Sequence, residues 1–421
     1  MSDYRREESY QLRVNAAQMA KDRQHPRHQA NGDEQRYATA NYAMSFTKGL
    51  DHNAATGLIE NKEDFEAFRQ AIDEGFIDTF TTQVPIPTNK ARPWEAPTAG
   101  VVYELEGPDP QAVTMLPAPP LGSDELAYEL AEVYELALLR DYPLTDFVNG
   151  TDNPKIEETL TRLNNLSYQP NNPSRPRKTE SDKVTAQTLF RGSSPGVEVG
   201  PYLSQFLLIG NEQPGCSGIA HGYIQYGALR IDQRVPVATT QDYLTEASSW
   251  LEAQNGADLR DNSTLFDSDA NPNRRFITYP RDLATYVHDD ALYEAYLNAC
   301  LILLSMKPLG GAPFDPGFAK LSGESRVLSS QTHSKKDSGI SRAAGGFALY
   351  GGPHILTLVT EVATRALKAV RFQKFNTHIR LRPEALAARV EYAKKIEETY
   401  PQAGSLFSKL GKDIHDTVEA I

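Results

Sequence analysis

From His354 to about Leu381 the chain runs without a proline or glycine, and Pro353 stands where a first-turn proline belongs. That stretch predicts one continuous helix, about 40 Å long at 1.5 Å per residue. Its upstream half, ILTLVTEVATRALKAV, is apolar enough to need burial, so the rest of the chain has to pack around it. Downstream, in AVRFQKFNTHIRLRPE, helical periodicity sets Arg371, Lys374, His378 and Arg382 on one face. Cations gathered beside a buried helix need a counter-charge, because an isolated buried cation is costly. Two readings follow. The cations converge on a small oxyanion, or they pair with surface carboxylates and cap the helix C-terminus. Lys374 and Arg382 would lie about 12 Å apart along the axis, within joint reach of a small anion between their side chains.

Charge narrows the partners. The chain has 421 residues, with 43 Lys and Arg against 55 Asp and Glu, a formal net charge of −12. That balance argues against nucleic acid or an anionic membrane as the main partner while leaving room for a local basic pocket. No run approaches the roughly 20 apolar residues of a membrane helix, and the first residues lack the apolar core of a secretory signal, so a cytoplasmic site is expected. Cys216 and Cys300 are too few for a disulfide framework, and a bond between them is not favoured.

The remaining pattern is mainly α. Residues 1–40 read as a polar N-terminal arm that packs on a partner subunit or stays disordered. Phe65, Phe68, Ile72 and Phe76 predict a helix over about 62–76, and Ser123 caps an amphipathic helix, DELAYELAEVYELALLRDY. Prolines between Pro85 and Pro120 predict a loop with one short strand at GVVYELEG. Helices are expected at about 240–255, capped by Thr240, at about 281–305, and from Pro383 to about Tyr400, with the best strand at YIQYGALRID. The polar stretches around 168–185 and 325–346 read as loops. Phosphate loops, dinucleotide fingerprints, HExxH, CxxC and GxSxG elbows are all missing from the sequence.

The string KFNTHIRLRPEA, with Lys374 and Arg382 eight apart and Pro383 following, resembles the first vanadate-binding motif of the vanadium-dependent haloperoxidases, specifically the bromoperoxidases of marine algae and their bacterial relatives. LFRGSSPGVEVGPYLSQFLL (189–208), RDLATYVHDDALYEAYLNACLILL (281–304), FDPGF (314–318) and GGPHILTLVTEVATRALKAVRFQKF (351–375) are similar to the same family, so the resemblance covers most of residues 40–390. It implies a mainly α fold of helical bundles of the haloperoxidase and acid phosphatase type. It assigns vanadate-oxygen contacts to Lys374 and Arg382, and a halide pocket of the red-algal kind to Arg371; His378 receives no role. The implied chemistry is oxidation of bromide or iodide by hydrogen peroxide to hypohalous acid, delivered to a small organic acceptor, with vanadate as Lewis acid and cofactor.

The family pattern continues with a PSxxSGH-type segment and a histidine that coordinates vanadium axially. Of the nine histidines only His415 lies downstream of the motif, in KDIHDTVE, and its context does not match, so no metal ligand is assigned. The resemblance therefore divides the chain into an arm (1–40), an N-terminal helical region (41–350) and the start of a vanadate-site region (351–421) that is incomplete at its C-terminus. The expectation is a fragment or half-enzyme with little activity alone, as a homo-oligomer or with a complementing C-terminal chain. A phosphatase of the same superfamily and a non-catalytic assembly protein are the alternatives.

Overall fold

The computed structural model of the chain describes residues 2–105, 107–149, 153–168, 182–191, 201–211, 221–236, 242–259, 274–288, 290–305 and 352–421. Cys216, Thr240, FDPGF, most of the 168–185 loop and the 325–346 loop lie outside them.

Helices dominate. Helix α1 (Ser2–Lys21) carries almost only exposed side chains, including Tyr4, Leu12 and Met19. The residues after it are docked: Arg23 and His25 hold Asp109 at 3.1 and 2.8 Å, and the His28 ring meets Phe372 edge-on at 4.8 Å. The short α2 (Asp33–Arg36) follows. In α3 (Lys62–Glu74) the predicted phenylalanine spacing buries Phe65 and Phe68, and the helix ends at Gly75, whose left-handed backbone (φ 75°) a side chain would strain. Helix α4 (Ile77–Gln83) adds Phe80 to that cluster.

The capped helix is α5 (Asp124–Leu138), with the Ser123 hydroxyl accepting the Leu126 amide at 3.2 Å. It packs on α7 (Pro154–Asn164), which follows the short α6 (Leu144–Asn149). YIQYGALRID forms the expected hairpin, β1 (Tyr223–Tyr226) antiparallel to β2 (Leu229–Asp232), with Ile224 opposite Ile231. A second pair joins β3 (Val235–Pro236) to β4 (Arg274–Arg275). GVVYELEG forms no strand among its described residues; Asp109 instead accepts the Glu104 amide at 2.6 Å and fixes the segment as a loop. Helix α8 is Ala247–Gln254, shorter than expected and stopped by Gly256. The expected 281–305 helix is two, α9 (Pro280–His288) and α10 (Glu294–Ser305).

The long helix is shorter than its proline-free stretch allows. Helix α11 (Gly352–Phe372) passes into a six-residue π turn, Gln373–His378, and the chain reverses at Ile379, whose φ is 40°. Propensity alone permits helix to Leu381; tertiary pairing ends it. Phe46 N–H donates to the Ile379 carbonyl at 2.7 Å, Leu381 N–H to the Met44 carbonyl at 3.3 Å, and Ser45 and Arg380 form a β-bridge. Four helices then close the described fold: α12 (Pro383–Glu391), α13 (Ala393–Thr399), α14 (Pro401–Asp413) and α15 (His415–Ala420). The expected 383–400 helix is thus broken at Tyr392, and a helical segment continues past Pro401.

Among the described residues four apolar clusters carry these elements, two small ones under the strands, α9 and α10 and two larger ones. The largest joins Tyr37–Met44, α5, α7 and α12–α14 around Phe407 and Ile396. The second is aromatic, with Phe46, Phe65, Phe68, Phe80 and Phe375 packed beside Trp94. No helix among the described residues is long and apolar enough to cross a membrane.

A buried carboxylate staples the first cluster. Glu135, with no exposed surface, accepts from Arg162 at 2.7 and 2.8 Å, from Thr159 at 2.8 Å and from Thr417 at 2.8 Å, so α5, α7 and α15 meet on one group. Glu135→Ala leaves Arg162 and two hydroxyls without their acceptor, and denaturant unfolding is expected to show a loss of about 3–5 kcal/mol.

His52 is buried between Thr47 and Leu50, accepting or donating at 3.0 and 2.7 Å. Burial first, then the Arg389 charge, lowers its pKa from 6.5 to about 4, so the folded ring is neutral where the unfolded one protonates. This contribution is complete above pH 6.5 and is lost as the pH falls toward 4, by about 3 kcal/mol in all. Urea midpoints measured across that window should fall with acidity, and His52→Gln should flatten the slope.

Candidate active site

The π turn is gripped on every side. Arg69 Nη1 donates to the Phe375 carbonyl at 2.7 Å while its Nε holds Glu34 at 2.9 Å. Gln373 Nε2 donates to the Val113 carbonyl at 2.5 Å and lies 3.2 Å from His28 Nδ1. Phe375 is buried against Phe46, their centroids 6.0 Å apart. A π turn widens the helix by one residue per turn and re-aims its side chains, a device found often at functional sites.

Lys374 projects from this turn. Its Nζ lies 4.7 Å from the Phe375 ring centroid and 5.3 Å from that of Phe46, so two aromatic faces flank the ammonium. The residue remains open to solvent. Its pKa is nonetheless pushed below the ordinary lysine range, by the partial burial of the ammonium first, then by repulsion from Arg382 and Arg371, with Glu95 opposing.

Of the four cations named from periodicity, Arg371 and Arg382 lie near enough to Lys374 to repel its ammonium, by a route that differs from a single helical face. The chain reverses at Ile379, and Arg382 is the extended N-cap residue of α12 (φ −73°, ψ 151°), carried back toward Lys374 by the turn. Arg371, on the last turn of α11, donates to Glu95 at 3.1 Å. His378 leaves the group: it lines a small enclosed cavity with Asn31, Asp33, Ser45 and Leu386. His415 pairs with Glu419 at 3.2 Å on the exposed face of α15.

Residues that periodicity could not find complete the cluster. Glu384 accepts from Arg382 Nε at 2.5 Å and from Lys48 Nζ at 3.4 Å. Lys48 is also depressed, by burial first, with Arg382 and Arg92 repelling it and Glu384 opposing. Among the described residues Lys48 and Arg382 pair with Glu384 and Arg371 pairs with Glu95, which is 70% exposed, while Arg92 adds its charge near Lys48 and Lys374 makes no ion pair. In a chain of net charge −12, these residues form a local group of positive charge with the electrostatic character to attract an anion. Among the described residues no three His, Cys, Asp or Glu side chains gather as ligands for a cation.

The class that fold and site define is a helical protein with a cationic cluster at the end of its longest helix. Comparison with known proteins makes this specific. The chain is 38% identical over 460 residues to the vanadium-dependent bromoperoxidases of Corallina pilulifera and Corallina officinalis, in alignments that take in 98% of this chain and 73% of each relative. It is 27% identical over 362 residues to the vanadium-dependent bromoperoxidase of Ascophyllum nodosum, covering 84% of this chain and 56% of that one. A solved structure, the homohexameric second vanadate-dependent bromoperoxidase of Ascophyllum nodosum, shares the fold with a TM-score of 0.68 at 20% identity, covering 97% of this chain and 62% of that chain. No family model matches the sequence. The chain belongs to the vanadium-dependent bromoperoxidase family.

Gly100 fixes the loop that carries Glu95. A Cβ there would stand 2.8 Å from Phe372 Cα and 2.9 Å from Phe372 N, backbone atoms of α11 that cannot give way. Gly100→Ala should force the 95–100 loop off the helix, and thermal unfolding should report a loss of about 1–3 kcal/mol.

Proposed function

We propose that this chain binds vanadate between Lys374 and Arg382 as part of the site of an enzyme that oxidises bromide or iodide with hydrogen peroxide to hypohalous acid for a small organic acceptor, with little turnover by this chain alone, in which no axial metal ligand is assigned. The single observation that supports this most is that the Ile379 reversal leaves Arg371 and Arg382 near enough to Lys374 to repel its ammonium, with only Glu95 opposing them. That donor set fits a tetrahedral oxyanion, since a guanidinium offers paired N–H groups and an ammonium a point charge. Bound vanadate would supply a Lewis-acidic centre toward peroxide.

The protein's own share is electrostatic. Lys374, flanked by two aromatic rings, would present its N–H donors to the oxygens of a bound oxyanion. Its lowered pKa keeps a proton less tightly bound and makes the ammonium a better hydrogen-bond donor to an oxyanion. Arg371, tied to Glu95 at the rim, is suited to attract halide and to set which halide enters. The family neighbour is a homohexamer, and a homo-oligomer is proposed here as well.

Calorimetric titration with orthovanadate tests the reading. Binding at tens of micromolar or tighter, weakened at least tenfold in Lys374→Ala, is expected; no binding by the wild-type chain overturns it. In the same preparations, bromination of a phenol dye with bromide and peroxide should follow vanadate affinity, and turnover that survives Lys374→Ala would remove that lysine from the mechanism.

A further inference from the structure

We propose that Glu384 is the positioning residue of Arg382, and that Lys48 holds Glu384 in that role. The inference rests on the oxyanion reading above and adds two residues to it.

Arg382 has little else to define it. It lies outside any helix, as the N-cap of α12, and its side chain is 48% exposed. A long side chain in that position samples many rotamers. Among the described residues its one hydrogen-bonding partner is Glu384, and the contact is made by Nε. The Nη1 and Nη2 groups make no hydrogen bond to the described residues, so the edge of the guanidinium that suits an oxyanion is left open. Glu384 takes the Nε side, so the Nη1 and Nη2 donors stay available to a ligand while the side chain is tethered.

Glu384 is itself built into the structure. It sits in the first turn of α12, directly after Pro383, where the helix dipole favours a carboxylate. Its side chain is 25% exposed. Burial pushes its pKa up, but the Arg382 charge and hydrogen bond, its own amide and Lys48 outweigh this and hold it below the ordinary glutamate range. Its backbone carbonyl accepts the Trp250 indole N–H at 3.2 Å.

Lys48 comes from a chain segment equally constrained. The Trp94 indole N–H donates to the Lys48 carbonyl at 2.8 Å, and the next residue, Gly49, has φ 100° and lies so close to the Trp94 ring that a Cβ would be 2.5 Å from it. The lysine has an electrostatic task. A carboxylate next to an anion site repels the anion, and the Lys48 ammonium, 3.4 Å from the same Oε1 that accepts from Arg382, offsets that repulsion while the Arg382 contact is kept. Supports of this kind, one shell behind a ligand-binding group, commonly alter affinity by about 10–100-fold when removed.

Orthovanadate titrations of the full chain, repeated with inorganic phosphate, test the inference. Glu384→Ala is expected to weaken vanadate binding about tenfold. Glu384→Gln, whose amide oxygen still accepts from Nε, should lose less, and Lys48→Met should weaken binding where Lys48→Arg restores it. Circular dichroism melts identify folded variants; should Glu384→Ala not fold, the Gln and the two Lys48 variants decide. Unchanged or tighter binding in the folded Glu384 variants would show a bystander or a competitor and overturns the positioning role alone. If the wild-type chain binds no vanadate while the variants are folded, the oxyanion reading fails, and this inference with it.

Discussion

The backbone reversal at Ile379 organises the rest of this molecule. A non-glycine residue at φ 40° is held there only when its surroundings outweigh the strain. Here they do, because Phe46 and Leu381 exchange backbone hydrogen bonds across the turn with Ile379 and Met44, and Ile379 is itself buried in the aromatic cluster. The reversal ends the longest helix, starts α12 and returns Arg382 to Lys374. Without it, helical rise would carry the two cations about 12 Å apart along one axis. The site is therefore a product of tertiary pairing between residues 44–46 and 379–381, more than three hundred positions apart in sequence.

Electrostatics has the same long-range origin. Lys48 and Glu95 come from loops of the N-terminal region, Arg371 and Lys374 from the end of α11, and Arg382 and Glu384 from the start of α12. Each segment is fixed by contacts that have nothing to do with charge: Trp94 on Lys48, Gly100 on Phe372, Phe375 in the aromatic core. Apolar packing thus holds like charges together, which they would not do unaided. The depressed ammonium of Lys374 reflects its partial burial first and that opposition second.

What could be read in the sequence divides along the same line. Local features were legible: the Ser123 cap, the phenylalanine face of α3 and the β1–β2 hairpin. Their signals lie within one or two turns of the residues concerned. The π turn and the reversal were not legible, because nothing in QKFNTHIRL departs from ordinary helix propensity; the competing bonds come from residues 44–46. The single cationic face is accordingly not what the structure forms: Arg371, Lys374 and Arg382 are brought near one another by the reversal, and His378, included by periodicity, lines a small cavity apart from them. Lys48 and Arg92 gave no periodic signal in their irregular loops, and Glu384 stood inside the motif string with nothing to distinguish it from a helix-starting glutamate.

This division bears on how the site forms. A motif whose active geometry depends on a partner segment near residue 45 cannot assemble from the C-terminal helices alone, however well α11 and α12 fold. The aromatic cluster must first seat Phe46 beside Phe375, since that contact places both the Ile379 turn and the rings that flank Lys374. Substitutions in the cluster would thus reach the cations by the backbone, changing the spacing between Lys374 and Arg382 before they change any charge. Charge substitutions would act in the opposite order, altering Lys374 first and leaving the reversal intact. The two kinds of change separate what holds the site in shape from what the site does.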